Sequence, residues 1–133
     1  MVRPVLMKIG YLVQIAADLE EAGLVWQPEI GDEVSEKSQP VRISILVDPQ
    51  GMTPTELRTT YLWLPTVEQL VSQLEARQAI LFHAGLELSE KKYCYRTVIR
   101  APAGKFEASA HTLRCALALG MRDFLLAKNY AVN

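Results

Sequence analysis

The sequence predicts an α+β fold: a mainly antiparallel sheet of about four strands with helices packed on it, in the order α-β-β-α-β-β-α. Three observations predict it. Residues 61–128 read without a gap as short strand, helix, hairpin and long helix, each with its own start or stop signal. Apolar periodicity switches repeatedly between the helical spacing of three and four and the strand spacing of two. Two of the strand-like segments are separated only by a short polar break, which makes them antiparallel neighbours.

Residues 5–22 form the first predicted helix, with Val5, Ile9, Leu12, Ala16 and Leu19 as one apolar stripe, Pro4 at its start and Gly23 as its stop. Val13 and Ile15 widen that surface, as in a helix covered on two sides or used in a subunit contact. Residues 27–40 turn polar and irregular, with Pro28, Gly31, Ser35, Ser38 and Pro40 as punctuation, and read as a flexible loop. In residues 41–48, Val41, Ile43, Ile45 and Val47 alternate with polar neighbours, so these four are expected to face the core of a strand. Thr53-Pro54-Thr55-Glu56 has the grammar of a capping box and predicts one helical turn before a strand at 59–63.

A second capping box, Thr66 with Gln69, starts a helix carrying Val67, Leu70, Val71 and Leu74 that should end near Arg77. Residues 79–88 and 93–101 then form a hairpin. With Glu90-Lys91 at the turn, Ile80, Phe82, Ala84, Leu86, Tyr93, Tyr95, Thr97 and Ile99 share the expected core face, and His83, Glu87, Cys94, Arg96, Val98 and Arg100 share the other. Pro102 and Gly104 end the sheet, and residues 106–127 read as the final helix, buried through Ala110, Leu113, Leu117, Gly120, Met121 and Phe124.

The 133 residues match one domain, 1–133, with half of them hydrophobic and 22% charged. Fourteen basic against 15 acidic side chains leave a net charge of −1, with no field to steer the protein to nucleic acid or anionic lipid. Two cysteines are too few for a disulfide framework. The first residues lack signal-peptide grammar and no window approaches a membrane span, so a cytoplasmic protein is expected.

Trp63-Leu64-Pro65-Thr66 leading into a helix, the aromatic hairpin segment Tyr93-Cys94-Tyr95 and an Ala-rich last helix resemble the small bacterial and phage domains called phage ABA sandwich proteins. The likeness covers about half the chain. It implies a sandwich of helices and sheet and carries no catalytic residue over.

Constellations of reactive residues are sparse. His111 and Cys115, four apart on the expected helix, with His83 and Cys94 on the hairpin, supply zinc-type ligands but no knuckle spacing, so no metal or cofactor is expected. A Cys–His nucleophile lacks an orienting third group, and Asp32, Glu33 and Asp48 read as loop and turn carboxylates. Arg96, Arg100 and Lys105 alternate with Tyr93 and Tyr95, so arginines and tyrosines point to opposite faces and make a poor nucleic-acid platform. No phosphate-loop, zinc-protease or serine-hydrolase motif occurs.

The reading that follows is a small binding or protein-interaction domain that self-associates, with no catalytic signature. Its candidate binding residues are His83, Glu87, Cys94, Arg96 and Arg100 on the second hairpin face and two surface-prone tryptophans, Trp26 and Trp63. Two alternatives are an enzyme using a cleft beside the 80–100 hairpin and a nucleic-acid accessory protein.

Overall fold

The computed structural model of the protein describes residues 3–40 and 42–132, with the side chains of residues 3–9, 89 and 129–132 outside that description. The expectations for Val41 and for the Val5 and Ile9 side chains therefore lie outside the described residues. Among the described residues the fold is α+β, with four helices and two three-stranded antiparallel sheets. Chain contacts divide it into two compact units, residues 1–65 and 66–133.

In the first unit, α1 (Arg3–Glu21) buries Leu12, Val13, Ile15, Ala16 and Leu19. It stops at Gly23, whose φ of +108° suits glycine, with Gly23 N–H donating to Glu20 O and Leu24 N–H to Leu19 O. The polar stretch expected as a loop contains β1 (Glu33–Glu36), which is the central strand between β2 (Ser44–Ile45) and β3 (Tyr61–Trp63). One apolar residue, Val34, hid this strand from a pattern search. It forms because both flanking strands need an antiparallel partner, and β1 supplies its backbone to each.

The parity expected for residues 41–48 is reversed. Leu46 is buried, while Ile43, Ile45 and Val47 are 39%, 59% and 73% exposed. Only two residues of this segment pair in the sheet. Leu46 N–H donates to Asp32 O and Leu46 O accepts from Gly31 N–H, which turns Leu46 into the cluster of Trp26, Val34 and Leu57. The helix α2 (Pro54–Thr60) opens with the expected Thr53–Glu56 capping box, both of its bonds present.

In the second unit, α3 (Val67–Ala76) opens with the Thr66–Gln69 capping box and buries Leu70 and Leu74 completely. The strands β4 (Ile80–Ser89) and β5 (Lys92–Ala101) form the expected hairpin about Glu90-Lys91. Their φ values of +50° and +68° make a type I′ turn from residues that ordinarily avoid it. The segment expected as the start of the last helix is instead β6 (Gly104–Ala110), joined to β5 by a two-residue turn at Pro102-Ala103. Phe106, Ala108 and Ala110 alternate with Lys105, Glu107 and Ser109, a strand period masked by alanines that also favour helix. Helix α4 (Leu113–Val132) follows, with Cys115 N–H donating to Thr112 Oγ1 at its first turn.

Helix α4 packs on β5 and β6. Thr97, Ile99, Ala116, Leu117 and Met121 are fully buried, Thr97 Oγ1 donates to Ala116 O at 3.1 Å, and Phe106 meets Phe124 edge to face at 5.7 Å. Gly120 is what lets the helix come so close, since a Cβ there would stand 2.9 Å from Ile99 Cδ1. Gly120→Val is expected to destabilise the protein by about 1–3 kcal/mol through overpacking, read as a lowered urea midpoint with unchanged slope.

Candidate functional site

The sequence placed its candidates on the face of the second sheet away from α4, and the register bears on each of them. His83, Gly85 and Glu87 of β4 stand opposite Val98, Arg96 and Cys94 of β5. Across β5, Arg96, Val98 and Arg100 stand opposite Ser109, Glu107 and Lys105 of β6. Side chains directly opposite one another share a face, so His83, Glu87, Cys94, Arg96, Val98 and Arg100 are brought together as expected.

Ile80 and Phe82, expected on the core face, are corrections. A β-bulge between Leu81 and His83 shifts the register, Ile80 pairs with Arg100, and the Arg100 guanidinium lies 3.7 Å from the Phe82 ring centroid. Both residues are more than half exposed. The extra residue at a bulge changes which side of the pleat its neighbours occupy, and period-2 counting cannot see it.

The charged groups on this face are engaged with one another. His83 Nε2 lies 3.0 Å from Glu87 Oε2, and Arg96 reaches Glu87 at 3.4 Å and Glu107 at 3.0 Å. Lys105 completes the chain at 3.0 Å from Glu107. Four residues along a strand separate Cα atoms by roughly 13 Å, so His83 and Glu87 meet only because both lean along β4 over the residue between them. That residue is Gly85, where a Cβ would sit 3.4 Å from the imidazole. Hydrogen bonds from Lys105 and Arg96 hold the Glu107 carboxyl below its ordinary range, and the same Glu107 contact raises Arg96. Cys94, half-buried opposite Glu87, is a free thiol.

The tryptophans belong to the first unit, and they are not both at the surface. Trp26 is buried in the first unit, where its Nε1 donates to Asp32 Oδ2 at 2.8 Å and its carbonyl accepts from Arg58 Nε at 2.6 Å. Trp63 is partly buried, and its Nε1 makes no hydrogen bond among the described residues. With Glu20, Arg58, Tyr61 and Leu62, the two rings line a cleft of about 190 Å³. That is below the roughly 300–1,000 Å³ of ordinary ligand pockets. A second cleft of about 270 Å³ lies beside Val13, Ala17, Lys37 and Leu62, also within the first unit.

Sequence reasoning missed an exposed apolar strip on the second sheet. On the α4 side of β4 and β5, beyond the helix, Leu86, Leu88 and Tyr93 are 55%, 61% and 66% exposed. Leu86 and Tyr93, expected in the core, are corrections: they share that face with Leu88, but α4 reaches over β5 and β6 and leaves them uncovered. Their period of two gave the face correctly and said nothing about what covers it.

Among the described residues no three His, Cys, Asp or Glu side chains group as metal ligands. His111 precedes α4, so it does not share a helix face with buried Cys115. No helix among the described residues is long and apolar enough to cross a membrane. No protein-family model, curated protein or solved structure matches the chain.

Two outcomes test these assignments. Trp26→Phe removes one donor from the buried Asp32 carboxylate and should cost about 1–3 kcal/mol in denaturant unfolding. Glu107 has a depressed folded pKa, so its contribution to stability is complete above the ordinary carboxylate range and is lost as pH falls through the lowered value. Glu107→Gln should therefore lower the urea midpoint slightly near neutrality, and the gap from the parent should close in acid; a gap independent of pH would exclude the charge as its source.

Proposed function

We propose that the protein is a small binding module that works by self-association and contact with other protein, and not by catalysis. The observation that carries this reading is the uncovered apolar strip of Leu86 and Leu88 on the edge strand β4, with Tyr93 beside them on β5. Apolar side chains clustered on one open sheet face are costly to leave in water and commonly serve as protein contacts. The neighbouring charged face supports the same reading, because His83, Glu87, Arg96, Glu107 and Lys105 neutralise one another in a surface lattice. Groups so engaged are poorly placed for acid–base work, and both described clefts lie among residues other than these.

Binding to nucleic acid has less support. Arg96 and Lys105 share one carboxylate, Arg100 stacks on Phe82, and the register sends Tyr93 and Tyr95 to the opposite face from the arginines. The proposal includes a cytoplasmic location, a reducing compartment in which thiols such as Cys94 and Cys115 persist.

Sedimentation velocity over a range of micromolar concentrations is expected to show a dimer that dissociates on dilution. Leu86→Lys with Leu88→Lys, both at exposed positions, should leave the far-UV spectrum unchanged, keep the unfolding midpoint within error at dilutions where the parent is monomeric, and shift the protein to monomer at higher concentration. A parent protein that stays monomeric throughout would remove self-association from the reading.

A further inference from the structure

We infer that two copies of this chain join edge to edge through β4, antiparallel about a two-fold axis at Gly85, so that His83 of each copy faces Glu87 of the other. This rests on the self-association proposed above and specifies its surface and register.

Strand β4 is the open edge best suited to such pairing. The second sheet has the order β4-β5-β6, so among the described residues the ten-residue strand β4 presents one unpaired row of backbone groups. An exposed apolar edge of that length is a template for another strand. The other edges are less suited: β6 lies under α4 and carries Lys105 and Glu107 on its outer face, and β2 and β3 pair over only two and three residues. The exposed Ile43, Ile45 and Val47 around β2 form an apolar patch without a strand long enough to add to.

Hydrogen-bond alternation restricts the register. In a two-residue hairpin the closing pair, here Ser89 and Lys92, exchanges hydrogen bonds, so Glu87, Gly85 and His83 direct their backbone groups at β5. The intervening Ala84, Leu86 and Leu88 direct theirs to the open edge. Antiparallel pairing of two β4 strands must match these outward residues with one another, which places the axis on a residue and not between residues. With the axis at Gly85, Ala84 of one copy bonds Leu86 of the other, and His83 stands opposite Glu87 twice. With the axis at Glu87, the two Glu87 carboxylates oppose each other. With the axis at Leu86, His83 faces a serine and neither charge finds its complement.

Complementarity between the His83 imidazole and the Glu87 carboxylate of a second copy therefore selects Gly85, and the side chains agree. Gly85 meets Gly85 at the axis with nothing projecting between the imidazoles, which already lie over that glycine. Opposed side chains in a non-hydrogen-bonded antiparallel pair have Cβ atoms roughly 4.5–5.5 Å apart, within reach of a His–Glu contact. On the α4 side, Leu86 and Leu88 of the two copies extend one apolar strip. The product is a continuous sheet of six strands, three from each copy.

Two charge variants test the register by their choice of partner. In the His83→Glu homodimer each new glutamate opposes Glu87, and in the Glu87→Lys homodimer each new lysine opposes His83, so the first should dissociate roughly tenfold more readily than the parent. When the two variants are mixed, the lysine of one meets the glutamate of the other and the native His–Glu contact survives on the second side. Native mass spectrometry of the mixture should show heterodimer well above the statistical half. A dimeric parent whose variants mix statistically would overturn the Gly85 register and leave self-association standing. A monomeric parent would overturn both and leave the β4 edge to a strand from a different protein. Gly85→Cys on a Cys94→Ser background supplies an independent reading: the register predicts a covalent dimer under mild oxidation, and failure of a dimeric species to cross-link there would count against it.

Discussion

Alternation along β5 is the constraint on which the second unit depends. Each successive side chain goes to the opposite face, and both faces are in use. Thr97 and Ile99 lie completely buried beneath α4, where Thr97 satisfies its hydroxyl on a helix carbonyl and Ile99 fills the space that Gly120 leaves. Arg96, Val98 and Arg100 go the other way and organise the charged face, with buried Val98 between two arginines that reach out to Glu87, Glu107 and the Phe82 ring. A slip of one residue would expose the first set and bury two guanidinium groups. Register is therefore specified from both sides of the sheet at once.

The two edges of that sheet are managed differently. Strand β6 is short and held under α4, and its exposed face is charged. Strand β4 is longer than its cover, so its far half keeps apolar side chains on the helix side and a self-complementary His–Gly–Glu pattern on the other. The bulge at Phe82 interrupts regular pairing at the near end, so a strand added about a two-fold axis at Gly85 would pair regularly over residues 83–87.

In the first unit a polar segment is made to serve as the middle of a sheet. Asp32 and Ser35 are buried there, and Asp32 accepts hydrogen bonds from the Trp26 indole and the Glu29 amide. That exchange draws Trp26 inward and explains why an aromatic that reads as a surface anchor ends in the core. Arg58 and Lys37 then bond backbone carbonyls of Trp26 and Arg58, tying the segment to α2 by contacts far apart in the chain.

Local signals were legible. Both capping boxes, the glycine stop of α1, the hairpin turn at Glu90-Lys91 and the grouping of His83, Glu87, Cys94, Arg96 and Arg100 on one face all follow from interactions within a few residues or from strict alternation. Non-local features were not. Strand β1 exists because two distant strands need its backbone, β6 overrides the helix propensity of its alanines by completing β5, and Leu46 rather than Ile45 turns inward because of bonds to residues 31 and 32. The bulge that moves Ile80 and Phe82 outward, and the reach of α4 that leaves Leu86 and Leu88 bare, belong to the same class. By itself the sequence determined the α+β class, the capped starts of α2 and α3 and the residues sharing the charged face, because these depend on short-range chemistry. Tertiary structure alone decided which faces are covered and which strand edge stays open, because covering a face requires a partner supplied from elsewhere in the chain.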